Sequence, residues 1–304
     1  MPIVRNPGYV FTSEEVHETI RKLQLVMVAN GEEQLLARTD RLESFCTMMG
    51  MKVNLAKTKL MRVGVKHEQT FYLQSQKVTE CRTYKYLGTE VTNNLSWTEC
   101  GLVRTVNGFK ALYSFWNACK RANLVAWPLK ARLFTALVQP VLLFGVQAWG
   151  PAMSRASWSK LERVHKNFLR RELGVHAQIQ YSILLAETGK WTLEAEALLL
   201  TLQYVQNVQT QDNDRLVFQA GKVTRGRGWM ADIYRWAVSW GIREEDWRHT
   251  YSREQFGSFV VKKLWSDPSS RQQYYTRDVN PMNSYREQPY LHAPLPNKTR
   301  VLIT

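Results

Sequence analysis

The amino-acid sequence predicts an α+β N-terminal part followed by a mainly α-helical remainder, and three observations carry that prediction. Residues 30–92 set one amphipathic helix beside short β-rich runs, and from Ser96 onward the apolar residues recur with helical period. Hydrophobic residues make up 44% of a 304-residue chain, enough to bury a core. The same composition holds 41 Lys+Arg against 26 Asp+Glu, a net charge of +15 and a pI of 9.7, so a polyanion is the first partner to consider.

Residues 1–24 are unassigned. Thr12 and Glu15 form a capping box in the run TSEEVHETIRKL, while LVMVA at 25–29 has the content of a buried strand, and both readings stay open. Asn30 is placed to cap the next helix, whose first turn holds Glu32 and Glu33 and whose apolar face is Leu35, Leu42, Phe45 and Met49. Gly50 ends it. GMKVNLAKTKLMRVGV, FYLQ and the segment 81–91 then turn extended, which predicts a helix laid over a small sheet. Val53, Leu55, Lys57 and Lys59 share a strand parity, so a regular strand would put two lysines on the apolar face unless a loop between Asn54 and Thr58 intervenes. Lys57 stands where an ammonium could meet a phosphate, or it is a solvated lysine.

Beyond Ser96 the sequence predicts a long helix across 97–124, a second opened by Pro128, and a third over 157–173 stopped by Gly174. Residues 193–208 form a further helix with Leu198, Leu202 and Val205 on one side, and the polar stretch 211–228 reads as a linker. Helical patterning resumes over 229–265, and the Pro-, Asn- and Tyr-rich end is expected to be weakly ordered. The longest apolar run, 133–149, is broken by Thr135, Gln139, Pro140 and Gln147 and is shorter than the roughly 20 residues that span a bilayer, so it reads as a buried helix, with no membrane partner.

Charge is most informative where one sign is missing. Between Glu99 and Glu162 no acidic residue occurs, while Arg104, Lys110, Lys120, Arg121, Lys130, Arg132, Arg155 and Lys160 do. Surface helices stabilised by ion pairs mix both signs, so this span favours a polyanion over a merely solvated face, although the latter stays open. On the helix at 157–173, Lys160, Arg163, Lys166, Arg170 and Arg171 fall within an arc of about 140°, with Trp158, Leu161, Val164, Phe168 and Leu169 opposite. Such a helix can pack on a core and track phosphates, or be an ordinary surface helix.

Other chemistry is thinly represented. Cys46, Cys81, Cys100 and Cys119 form no CxxC pair and fit a reducing, intracellular setting, nuclear or cytoplasmic. The carboxylate clusters at Asp212 and Asp214 and at Glu244, Glu245 and Asp246 sit beside arginines and read as solvated charge, and no metal site or GxSxG, HExxH or GxxxxGKS pattern is present. Of 11 tryptophans, Trp116, Trp149, Trp158 and Trp236 sit among apolar neighbours and are assigned to the core rather than to base stacking.

The run NGEEQLLARTDRLESFCTMMGMKVNLAKTKLM followed by TYKYLGTEV resembles the downstream half of the palm in reverse transcriptases of non-LTR (LINE-type) retrotransposons. The likeness is close over 25–91 and looser through LFTALVQPVLLFGVQAWGP, LERVHKNFLRRELGV and LLAETGKWTL, which are similar to that family's thumb region. The resemblance implies a partial palm at 25–95, a helical thumb-like region at 96–210, the linker at 211–228 and a helical extension at 229–304. It implies that Lys57, with Lys59 nearby, lies close to an incoming nucleotide, and that Tyr86, Leu87 and Gly88 turn a primer-grip hairpin. It also implies that thumb helices bearing Lys110, Lys120, Arg121, Lys130, Lys160, Arg163, Lys166, Arg170 and Arg171 grip RNA, DNA or an RNA–DNA hybrid. Where the family has its Tyr-x-Asp-Asp turn, this chain has Arg21-Lys22-Leu23-Gln24. Phosphoryl transfer on two metal ions needs those carboxylates. The expectation is therefore a truncated, non-catalytic nucleic-acid binder with no cofactor, Mg²⁺ belonging only to an intact polymerase. A fragment of an intact RNA-directed DNA polymerase, a protein-interaction scaffold and a remnant without function are the alternatives.

Overall fold

The computed structural model describes residues 26–64, 70–243, 253–264 and 287–292, so the capping box at Thr12 and Glu15 and the segment Arg21 to Gln24 lie outside the described residues. The chain divides into two compact units, with the break between Tyr84 and Lys85.

In the first unit, residues 26–29 take no regular structure, and α1 (Glu32–Met48) starts at an extended Gly31. Asn30 is not a side-chain cap; its backbone N–H donates to Gln34 Oε1 at 2.8 Å. The buried side of α1 holds Thr39 and Cys46, and Phe45 is 41% exposed, so the helix is turned from the face its apolar residues predict. Thr39 is tolerated inside because its hydroxyl donates to Leu36 O at 2.7 Å. Gly50, at φ +64°, closes the helix.

Instead of a regular strand, Asn54 organises a turn, its backbone carbonyl accepting from the N–H groups of Lys57 at 3.1 Å and Thr58 at 3.0 Å. That loop keeps Lys57 out of the apolar cluster and leaves only β1 (Lys59–Leu60) extended. β1 pairs in parallel with β4 (Thr79–Glu80), while β2 (Tyr72–Leu73) and β3 (Gln76–Lys77) form an antiparallel hairpin. These are separate two-stranded ribbons rather than the one small sheet expected. Phe71, Leu73 and Val78 are buried, with Leu35, Val53, Leu55 and Leu60 against them. A third ribbon joins β5 (Thr83–Tyr86) to β6 (Thr89–Thr92) through Leu87 at φ +45° and Gly88 at φ +81°. Two left-handed residues in a row are the requirement of a tight hairpin turn, as the run TYKYLGTEV anticipates.

The second unit, which opens within the β5–β6 ribbon, is otherwise helical: α2 (Thr98–Arg121), α3 (Trp127–Leu137), α4 (Gln139–Leu143), α5 (Val146–Trp149), α6 (Arg155–Leu173), α7 (Tyr181–Thr188) and α8 (Leu193–Gln209), then α9 (Leu216–Val223), α10 (Trp229–Ser239) and α11 (Arg253–Leu264). Pro128 lies in the first turn of α3. Ser154 caps α6 by accepting from the Ser157 N–H at 3.2 Å, and Gly174, at φ +68°, ends it. The predicted linker contains α9, which has no buried residue and leaves Leu216 81% and Val223 82% exposed.

The single buried helix expected over 133–149 is three short ones, because Pro140 lacks an N–H to continue α3 and Gly145 turns left-handed at φ +67°. Among the described residues no single helix is long and apolar enough to cross a membrane; one bent pair, Trp127–Leu143 with Val146–Ala152, passes on length and composition together. Leu142, Val146 and Trp149 of that pair are fully buried in the core. Stacked rings build this core: Phe168 lies 4.2 Å from Phe134 and 5.9 Å from Trp127, and Trp158 lies 5.8 Å from Trp149 and 5.5 Å from Trp236. Near the end of the chain Leu291 is fully buried in it, and the Gln288 N–H donates to Glu187 O at 3.0 Å.

Candidate nucleic-acid interface

α2 and α6 run parallel at a constant sequence offset of 56 residues. A Cβ at Gly101 would stand 3.5 Å from Ser157 Cβ, one at Gly108 would stand 3.6 Å from Val164 Cγ1, and Trp116 Nε1 donates to Glu172 Oε1 at 3.1 Å. Glycine is required at 108, where that Cβ would also lie 2.2 Å from Leu142 Cδ2. The pairing fixes which sides of the two helices face the same way. The Arg171 guanidinium carbon of α6 lies over the Trp116 ring of α2, 4.1 Å from its centroid.

Spacing extends this side along both helices, since residues three and four apart are neighbours on a helix. Tyr113 precedes Trp116 by three residues, meets it edge-on at 5.7 Å and is 59% exposed. Lys120 follows Trp116 by four, and Lys110 precedes Tyr113 by three. On α6, Lys160, Arg163, Asn167 and Arg171 succeed one another at spacings of three and four and are all exposed. Among the described residues Lys110, Lys120, Arg121, Lys160 and Arg163 form no ion pair, so their charge is available to an anion.

The remaining basic residues singled out in the sequence are placed differently. Lys130 donates to Glu172 at 2.7 Å in an ion pair whose side chains are 14% and 5% exposed, so its charge is spent internally. Lys166 sits 5.1 Å above the Tyr181 ring, and burial pushes its ammonium below the usual lysine range. Arg170 donates to Ile179 O at 2.9 Å. The edges of the basic arc on α6 thus hold neighbouring elements, while Lys160 and Arg163 in its middle form no ion pair among the described residues. Arg104, also from the acid-free span, is 6% exposed, donates to Gly88 O and lies 4.9 Å over the Phe144 ring, holding the β5–β6 turn to α2.

That turn presents Leu87, 65% exposed, between a half-buried Tyr86 and Gly88, where a Cβ would come within 3.1 Å of Phe144. Lys57 and Lys59 belong to the first unit and are exposed there. Tyr113 and Asn167 escaped the sequence reading. Trp149, Trp158 and Trp236 are buried as expected, but Trp116 is only half-buried, because its ring lies at the rim of the α2–α6 seam.

On the far side of α6 a polar network is buried. Tyr181 donates to Glu162 Oε2 and lies 2.7 Å from His165 Nδ1, and Glu162 Oε1 accepts the Glu194 N–H of α8 at 2.9 Å. Burial raises the Glu162 carboxyl to about 7 despite these hydrogen bonds, and burial, aided by Lys190, lowers His165 to about 3. Among the described residues no group of three or more His, Cys, Asp or Glu side chains is arranged to hold a metal ion.

No family model matches the sequence, and no solved structure matches it. A Caenorhabditis elegans protein described as uncharacterized and transposon-derived is 23% identical to this chain over 265 residues, 84% of each. The chain is thus similar, over most of its length, to a protein of transposon origin.

Proposed function

We propose that this chain is a retrotransposon-derived, reverse-transcriptase-like protein that binds RNA, DNA or their hybrid through the shared face of α2 and α6 and does not itself extend a primer. The observation that carries the binding half is a row of exposed cations that form no ion pair among the described residues, Lys120 on α2 with Lys160, Arg163 and the Trp116-stacked Arg171 on α6, on one side of the helix pair. Similarity to a transposon-derived protein across 84% of each chain supports the origin, and the order of palm-like and thumb-like motifs supports the reverse-transcriptase reading. The absence of catalysis rests on Arg21-Lys22-Leu23-Gln24 standing where the family keeps its Asp pair.

Fluorescence-anisotropy titration of the full chain against a 20-nucleotide RNA–DNA hybrid, repeated over a series of KCl concentrations, tests the binding. Several phosphate contacts require an affinity that falls steeply with salt. The triple variant K120E/K160E/R163E should lose most of it, whereas no affinity at low salt, or one indifferent to salt, overturns the reading. Templated synthesis by the purified chain in Mg²⁺ or Mn²⁺ overturns the non-catalytic half.

A further inference from the structure

We propose that Tyr113, seated against the Trp116–Arg171 stack, receives an unpaired base, so that this face prefers single-stranded RNA or DNA to a closed duplex. The inference rests on the nucleic-acid reading above and narrows it. Tyr113 is 59% exposed at the centre of the basic face, yet its ring is not free to wander: it meets Trp116 edge-on at 5.7 Å and 71°. Trp116 is itself held, its indole N–H on Glu172 Oε1 at 3.1 Å and one ring face covered by the Arg171 guanidinium at 4.1 Å. The result is a preset aromatic surface with an exposed, planar arginine beside it, and both groups are stacking partners of unpaired bases.

A duplex offers such a surface nothing flat, because its base faces are closed by their own stacking, and phosphates gain little from an aromatic ring. The surrounding charge selects the same ligand. Lys110 and Lys120 stand about 5 Å and about 10 Å from Tyr113 along the helix axis, on either side of it, where the backbone on both sides of one stacked nucleotide would run. Glu172, the acid nearest the stack, is 5% exposed and paired with Lys130, so it does not oppose an approaching phosphate.

The test compares a 12-nucleotide oligo-dU or oligo-dT with a blunt, closed hairpin duplex by anisotropy, using the full chain and its Y113A, Y113F and K120E/R163E variants. Y113A should bind the single strand about tenfold more weakly and the duplex less than twofold more weakly. Its salt slope should equal that of the unaltered chain, since stacking releases no counterion. Y113F should keep the single-strand affinity, and K120E/R163E should weaken both ligands and flatten the slope. Equal effects of Y113A on the two ligands, or none on either, overturn the stacking site, as does a chain that binds duplex alone while the broader reading stands. A chain that binds neither ligand overturns both.

Discussion

In the first unit three side chains, Phe71, Leu73 and Val78, are buried together beneath strands of two residues, whereas in the second Phe168 alone touches the rings of Phe134, Trp127 and Phe115. The difference follows from element length. A two-residue strand offers one side chain to each face, so it cannot carry a continuous apolar surface. The 19- and 24-residue helices α6 and α2 offer one over five or more turns. The first unit accordingly leaves Leu36 at 44%, Phe45 at 41% and Met48 at 75% exposure on α1, a large apolar surface for so small a unit. Stability is concentrated where the aromatic rings are.

The sharpest way to break this contrast is to empty each core. Phe168→Ala should cost about 3–5 kcal/mol and lower the main thermal transition. Leu73→Ala should release amide-hydrogen protection only in residues 26–84 and leave that transition in place. A single shared transition lowered by both variants would show the units melting as one.

A second comparison lies among the cations of the second unit itself. Lys130→Ala should cost about 3 kcal/mol, because Glu172 would stay buried without its counter-ion, while Lys120→Ala should change stability by no more than about 0.5 kcal/mol. Binding should reverse that ranking per unit of folded protein, with Lys120 the more damaging loss. Urea melts beside titrations measure both, and similar melts for the two variants would remove the distinction between structural and available charge.

Acidity sharpens the contrast further, since the second unit buries titratable groups that work in opposite directions. Glu162, raised from 4.5 to about 7, binds its proton more tightly when folded, so it withdraws stability as pH climbs through that window. His165, lowered from 6.5 to about 3, resists protonation when folded, so its contribution is regained as pH climbs from about 3 to 6.5. Between 4.5 and 6.5 the two slopes cancel. Glu162→Gln should leave stability rising over the histidine window, and His165→Asn should leave it falling over the glutamate one. Chemical denaturation at pH 4, 5, 6 and 7 reads the slopes; profiles identical to the unaltered chain would sink the assignment.

The smallest effect is expected at the β5–β6 turn. Leu87 holds φ +45° with its side chain 65% exposed, a conformation that asparagine adopts more readily than leucine. Leu87→Asn should raise stability by roughly 1 kcal/mol or less in a thermal melt. A loss instead would mean that the leucine side chain packs well enough to outweigh its backbone.

Locally coded features were legible in the sequence. Pro128 and Gly174 mark ends of α3 and α6 because a missing N–H and a left-handed residue act at their own positions, whereas the β5–β6 hairpin is implied only by the resemblance that TYKYLGTEV carries. Asn54 decided between the strand and the loop that the lysine parity left open. Features set by distant partners were not legible. That Lys130 belongs to Glu172 and Arg104 to Gly88 depends on how helices and hairpin meet, and so does the half-exposure of Trp116. The acid-free span could not separate cations that build the unit from cations that face outward. On α1, the burial of Thr39 in place of Phe45 needed a hydroxyl bonded back to its own helix, which hydrophobic periodicity does not register.

The constant offset of 56 residues between α2 and α6 has an electrical consequence. Parallel helices add their peptide dipoles where antiparallel ones cancel them, so both negative ends emerge at the same end of the pair. The last turns that meet there hold Lys120 and Arg121 on α2 and Arg170 and Arg171 on α6. Four cations close together would ordinarily repel; here two helix termini offset that repulsion, so the pair can hold all four at the same end.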